Sequence, residues 1–122
     1  MKISAVVPVL WVADIPATLR FYQEVLGFAC ASAAEGWACI QRDGVELMLS
    51  APNAHYSFDK SNFTGSFYFR LETPKQVDEF WRQVKDKVTV VYPIENFDYG
   101  MREFSITDNN GLILQFGAEL SE

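Results

Sequence analysis

The sequence predicts an α+β fold, with two βαβββ modules that form a cupped mixed sheet. Two observations carry that prediction. The first is a repeated turn and strand: Asp43-Gly44-Val45-Glu46-Leu47-Met48-Leu49 matches Asn110-Gly111-Leu112-Ile113-Leu114-Gln115-Phe116. The second is a repeated helix pattern upstream, with Phe21, Tyr22 and Val25 matching Phe80, Trp81 and Val84. A helix-plus-strands unit that occurs twice suggests two half-barrels closing round one cavity. What lines that cavity decides the function.

The elements follow in order. The apolar, β-branched run from Ile3 to Val12 predicts a strand. Asp14 can cap the next helix, with Pro16 inside its first turn. Ile15, Leu19, Tyr22 and Leu26 recur at helical spacing and should be buried, and Gly27 is placed to end the helix. Three short strands follow, from Phe28 to Ala34, Trp37 to Gln41 and Val45 to Ser50. Glu35-Gly36 and Asp43-Gly44 supply the turns between them. The polar and aromatic stretch from Ala51 to Asn62 holds Pro52, Asn53, His55, Tyr56, Phe58 and Asp59, and reads as the linker. It divides the single domain, residues 1–122, into modules of about 1–60 and 61–122.

The second module repeats the scheme. Ser66 to Leu71 predicts a strand. Thr73-Pro74 opens a helix, with Gln76 in capping-box position and Val77, Phe80, Trp81 and Val84 as its apolar stripe. Val88 to Tyr92 predicts a strand, Pro93 to Gly100 a loop, and Arg102 to Thr107 with Leu112 to Phe116 a hairpin across Asp108-Asn109-Asn110-Gly111.

Side chains alternate across a strand, so the apolar sets show which face meets the helices. Those sets are Val45, Leu47 and Leu49; Phe67, Phe69 and Leu71; and Leu112, Leu114 and Phe116. The opposite faces carry Glu46, Met48 and Ser50; Ser66, Tyr68 and Arg70; and Ile113 and Gln115. That mixed face should line the cavity, although a solvent-exposed strand shows the same alternation.

The 122 residues suffice for one domain with a core, and 49% of them are apolar. Ten Phe, five Tyr and three Trp exceed what such a core requires, so some can line a ligand site. A net charge of −6 without a basic patch argues against nucleic-acid binding. No run is apolar and long enough to span a membrane, and no signal peptide is visible, so a cytoplasmic protein is expected. Cys30 and Cys39 lack metal-type spacing and read as reduced, small core residues.

Three stretches resemble the glyoxalase/bleomycin-resistance family, the vicinal-oxygen-chelate superfamily. They are Ala5-Val6-Val7-Pro8-Val9-Leu10 leading to Asp14, Phe21-Tyr22-Gln23-Glu24-Val25-Leu26-Gly27-Phe28, and Tyr99 to Gly111. The last is most similar to the bleomycin-resistance branch. That branch usually has Trp before the glycine and Asp-Pro-Asp-Gly at the turn. Here Tyr99 keeps an aromatic face, and Asn109-Asn110 keep a turn-forming pair.

The resemblance implies a metal position on the first and last strand of each module. Matched through the repeat, these are Val7, Met48, Ser66 and Gln115, with Glu46 replacing Met48 if that strand shifts by two. A divalent ion of hard or borderline character needs carboxylates or imidazoles, so a site without metal or other cofactor is expected. His55, the only histidine, lies in the linker. No Ser-His-Asp or Cys-His arrangement is visible. Glu46 and Glu103 can serve as an acid–base pair or as ordinary strand carboxylates, and Arg70 and Arg102 read as salt-bridge partners.

What remains is binding. The resemblance implies a homodimer with grooves at the interface, which sequesters a cationic aromatic antibiotic of the bleomycin type without reaction. The residues expected to contact such a ligand are Trp37, Glu46, Met48, Phe58, Ser66, Tyr68, Phe97, Tyr99, Glu103 and Gln115. Aromatic rings can stack on heterocycles or hold cations, carboxylates attract positive charge, and methionine adapts its shape. For each aromatic, a packing role competes with ligand contact. The alternatives are a divergent metal-dependent glyoxalase/dioxygenase-type enzyme and a binder of another aromatic natural product.

Overall fold

The computed structural model describes residues 1–55 and 58–120, so Tyr56 of the linker lies outside the described residues. The elements are β1 (Val9–Trp11), α1 (Ile15–Glu24), β2 (Ala29–Ala34), β3 (Trp37–Arg42), β4 (Val45–Ser50), β5 (Ser66–Arg70), α2 (Pro74–Val84), β6 (Thr89–Asn96), β7 (Met101–Thr107) and β8 (Ile113–Glu119). This is βαβββ twice, an α+β fold. The chain divides into two compact units, Met1–Ser61 and Asn62–Glu122.

Both units have the same topology. Their sheets run β1-β4-β3-β2 and β5-β8-β7-β6. The first strand of each lies parallel to the last, and the other pairings are antiparallel.

In the first unit, Asp14 caps α1 by accepting from the Ala17 N–H at 3.0 Å. Tyr22 is fully buried and meets Phe28 edge to face at 5.7 Å. Ile15 and Leu19 are only half-buried, and Thr18 takes the covered position instead. Its hydroxyl is satisfied by the Asp14 carbonyl at 2.9 Å, which makes a polar side chain tolerable there. After the helix, Gly27 (φ +71°) leaves room for the Arg42 guanidinium, which donates to the Leu26 carbonyl. Asp43 and Gly44, both at positive φ, form the β3–β4 turn.

Three expectations need correction here. The first strand is Val9–Trp11 rather than Ile3 to Val12. Pro8 accepts from the Met48 N–H at 2.9 Å but has no N–H to return, so the parallel ladder starts after it. Cys30 is exposed and only Cys39 is buried, because β2 is an edge strand with a register shift between Cys30 and Ser32. Val45 is 40% exposed at the start of β4, whereas Leu47 and Leu49 are buried.

In the second unit, Thr73 caps α2 by accepting from the Gln76 N–H at 3.2 Å. The Gln76 side chain reaches back to the Glu72 N–H at 3.0 Å, completing the reciprocal cap one residue early. Thr73→Ala should lower stability by about 1 kcal/mol, measurable as a lower urea midpoint with unchanged m-value; no change would mean the end of α2 is held otherwise. The stripe of α2 packs on the sheet through rings. Phe80 meets Phe104 and Phe116 at 6.1 and 5.0 Å, and Trp81 meets Phe104 at 5.0 Å. Phe69 stacks on Phe116 at 5.0 Å.

β6 extends to Asn96, well past the expected Tyr92, because register shifts absorb Pro93. β8 likewise runs on to Glu119. Asp108 builds the β7–β8 turn by accepting from the Asn110 and Leu112 N–H groups at 2.8 and 3.0 Å. Among the described residues, no helix is long and apolar enough to cross a membrane.

Candidate functional site

Because Phe104 faces α2, its neighbour Glu103 projects from the opposite face of β7. Glu103 is 1% exposed, yet among the described residues no lysine or arginine is bonded to it. Phenols serve it instead. Tyr68 of β5 donates to Oε1 at 2.8 Å and Tyr92 of β6 to Oε2 at 2.5 Å. Tyr99, in the turn between β6 and β7, lies near enough to feel this carboxylate. Gln115 of β8 donates to the Tyr92 oxygen at 3.0 Å and accepts from the Ser66 hydroxyl at 2.8 Å. All four strands of the sheet contribute to one polar network.

An aromatic wall stands beside it. Phe97 stacks on Tyr99 at 5.3 Å with rings 19° apart, and meets Tyr92 edge to face at 5.4 Å. Tyr99 is 61% exposed and Tyr68 38%. The site therefore combines a buried carboxylate with exposed ring faces.

Gly117 makes the geometry possible. It lies opposite Glu103 in the β7–β8 ladder. A Cβ there would collide with the Tyr68 hydroxyl and come within 2.9 Å of the Glu103 Cβ.

The phenols are held protonated. Desolvation, then the hydrogen bond to Glu103, pushes Tyr68 well above its ordinary value near 10. Tyr92 rises for the same two reasons, and its bond from Gln115 pulls the other way. Tyr99 rises through desolvation and then the neighbouring Glu103 carboxylate, but water screens so exposed a group more strongly. An acid whose pKa is raised by folding stabilises the native state fully below its unfolded value. That contribution is lost as pH climbs above it. The melting temperature should therefore fall as pH climbs from about 10 into the raised tyrosine range, and less so in Tyr68→Phe. A rise over that interval would contradict the network.

The first unit places Trp37, Glu46 and Met48 on the sheet face opposite buried Leu47 and Leu49. There the Cys39 thiol donates to Glu46 Oε2 at 3.0 Å. That bond, followed by burial, pushes the thiol up to about 11, which disfavours the reactive thiolate. Phe58 stacks on Trp11 at 6.2 Å and so anchors its own loop. Ser66, Tyr68, Phe97, Tyr99, Glu103 and Gln115 come together in the second unit.

Ladder registers align the two units and show that the network was not duplicated. Val9 pairs with Met48 as Tyr68 pairs with Gln115, and Trp37 pairs with Ser50 as Glu103 pairs with Gly117. Val9, Trp37, Met48 and Ser50 thus stand where the second unit has its tyrosine, carboxylate, amide and glycine.

Sequence reasoning missed Tyr92 and Gly117. Tyr92 is hidden by the register shifts of β6, which spoil simple alternation. Gly117 does leave a signal, being a glycine directly after an apolar strand pattern.

The donor set does not fit a divalent ion. Val7 offers no ligand atom, and Met48 is a soft thioether. The Gln115 amide oxygen is engaged by Ser66, and Glu46 by Cys39. Among the described residues, no group of three or more His, Cys, Asp or Glu could hold a metal. Arg70 and Arg102 are paired with Glu119 and Asp78 at 3.4 and 2.8 Å.

Comparison with solved structures finds the fold repeatedly. A glyoxalase/bleomycin resistance protein/dioxygenase from Nocardioides matches with TM-score 0.84 at 17% identity, over 99% of this chain and 86% of that one. A glyoxalase-related enzyme from Fulvimarina pelagi gives 0.79 at 17%, over 96% and 89%. A lactoylglutathione lyase from Agrobacterium tumefaciens gives 0.75 at 19%, over 97% and 96%. At such identities the likeness concerns the fold alone. Comparison with curated proteins gives no match. The sequence model of the Glyoxalase/Bleomycin resistance protein/Dioxygenase superfamily matches residues 2–116, and the chain belongs to that superfamily.

Proposed function

We propose that this chain is a small-molecule binding protein that sequesters its ligand without reaction. The single observation that carries this reading is the second unit's open face, where buried Glu103 sits behind Tyr68 and the stacked Phe97–Tyr99 pair. A negative centre beside flat, exposed rings suits a cationic aromatic molecule. The Tyr99 to Gly111 stretch, most similar to the bleomycin-resistance branch, makes a bleomycin-like glycopeptide antibiotic the first ligand to test. Trp37, Glu46 and Met48, on the corresponding face of the first unit, belong to the same reading as ligand contacts of that face. So do a cytoplasmic location and a homodimer with grooves at its interface. Isothermal titration of the protein with bleomycin should give saturable binding with one site per chain, weakened by Tyr99→Ala. Absence of heat with every drug of that class would remove the antibiotic assignment.

A divergent lyase, isomerase or dioxygenase is the second reading. The observation in its favour is Glu103 itself, a buried carboxylate bonded to phenols as an acid–base group can be. Such an enzyme of this superfamily would need a metal site made of other residues than the four matched above. A divalent ion copurifying at one per chain would support it.

A further inference from the structure

The proton inventory around Glu103 determines what the exposed oxygens can offer. A phenol has one proton to donate and lone pairs with which to accept. Tyr68 and Tyr92 direct that proton to the Glu103 carboxylate, and Tyr99 stands beside them within reach of its field. The Tyr68 and Tyr92 oxygens are left as acceptors, and the Tyr99 oxygen can accept as well. The Tyr92 oxygen is taken by Gln115. Among the described residues, no other donor serves a phenol of this cluster. The acceptors left over belong to Tyr68 and Tyr99, which are also its exposed members.

The cationic donors beside Glu103 are committed elsewhere. Arg102 is spent on Asp78 and Asn96. Arg70 is bonded to Glu119 and lies over the Tyr68 ring at 5.8 Å. Its position is an internal precedent, since a planar cation already rests on a ring of this site. An acceptor-only ligand would face lone pairs and a buried negative charge, whereas a ligand nitrogen carrying both charge and protons would satisfy both.

Building on the small-molecule reading above, we propose that Tyr68, Tyr99 and Glu103 form a subsite for a protonated nitrogen that bears N–H donors, an ammonium or amidinium group on a flat ligand. Its N–H groups bond to the Tyr68 and Tyr99 oxygens, and its charge is balanced by Glu103 behind them. The Phe97–Tyr99 stack offers a surface to the ligand's ring. Specificity then rests on hydrogen-bond donors in addition to positive charge. A quaternary ammonium has the charge without the donors and should bind poorly.

The test is titration calorimetry on the full chain with three probes of similar size: benzamidine, benzyltrimethylammonium and benzoate. Benzamidine should bind about tenfold more tightly than benzyltrimethylammonium, and benzoate should give no binding. Tyr68→Phe and Tyr99→Phe keep the ring and lose the oxygen. Each should weaken benzamidine about tenfold and leave benzyltrimethylammonium unchanged, with thermal melts confirming folded variants. Equal affinity for the two cations, binding of benzoate, or no response to benzamidine at millimolar concentration overturns the subsite.

Bleomycin titrated in parallel separates this inference from the antibiotic reading. Drug binding that benzamidine does not displace, and that both Phe variants leave intact, removes the subsite alone. Benzamidine binding with no response to drug supports the subsite and removes the antibiotic reading alone.

Discussion

Gly117→Ala should disrupt the polar network with a single methyl group. The new Cβ occupies the place of the Tyr68 hydroxyl and presses on Glu103 at 2.9 Å. The backbone of β8 is held on both sides, by β5 and β7, so Tyr68 is the element that must move. Its ring leaves Glu103, and the 2.8 Å hydrogen bond is lost. Overpacking of this kind costs about 1–3 kcal/mol. Urea unfolding should show that loss as a lower midpoint. The tyrosine titration is the more specific readout. Without Glu103, Tyr68 should ionise closer to its ordinary value near 10, visible as tyrosinate absorbance appearing at lower pH. If Gly117→Ala keeps the wild-type titration curve, the close packing of Tyr68 over Gly117 is wrong. Ligand binding to this face should also weaken at least tenfold, since one lost charge-assisted hydrogen bond already amounts to about 1.5–3 kcal/mol.

Phe104→Ala should produce the larger loss of stability, about 3–5 kcal/mol. Phe104 is fully buried and joins α2 to the sheet, touching Phe80, Trp81 and Phe116. Removing the ring leaves a cavity that neither a strand paired on both sides nor a capped helix can readily close. The denaturation midpoint should fall, with unchanged m-value if the denatured state is unaffected. Glu103 lies on the other face of β7, so a folded Phe104→Ala protein should retain its tyrosine titration. A cost under about 1 kcal/mol would mean that the helix is not anchored by this ring. These two variants separate the faces of one strand, with Phe104 serving stability and Glu103 the site.

The same alternation was legible in the sequence. Leu112, Leu114 and Phe116 against Ile113 and Gln115 already separate a helix-facing row from an open one. The repeat and its turn glycines indicated two βαβββ units, and Asp14 and Thr73 marked the helix starts. Legibility ended where the period breaks. The register shifts of β6 carried Tyr92 onto the Glu103 face although the sequence reads it as the end of a strand. Pro8 shortened the first strand, and Thr18 joined Tyr22 as a buried residue of α1 in place of Ile15 and Leu19 because its hydroxyl could be satisfied by the backbone. Cys30 looked like a core residue because it is small and lies in an apolar run. Its edge strand is exposed along its length, and composition does not reveal which strand is an edge.

The functional residues were partly legible for a related reason. Ser66, Tyr68, Glu103 and Gln115 follow from alternation, since polar residues in otherwise apolar strands belong to the open face. That Glu103 is the centre of the group does not follow from one strand. It depends on Tyr68, Tyr92 and Tyr99 converging from elements distant in sequence, and on Gly117 leaving them space. The first unit, with the same topology, has Val9 and Trp37 at the corresponding positions and builds no such network.

A thermal-shift titration of the protein, stripped of metal, with bleomycin and separately with divalent ions distinguishes a binder from a metal enzyme. A ligand that binds the native state raises the melting temperature as its concentration exceeds the dissociation constant. A sequestering binder should show a rise with drug, none with ions alone, and loss of the drug response in Gly117→Ala. A rise with ions and none with drug would contradict that reading, and would point to a metal-dependent enzyme whose ligands are not Val7, Met48, Ser66 and Gln115.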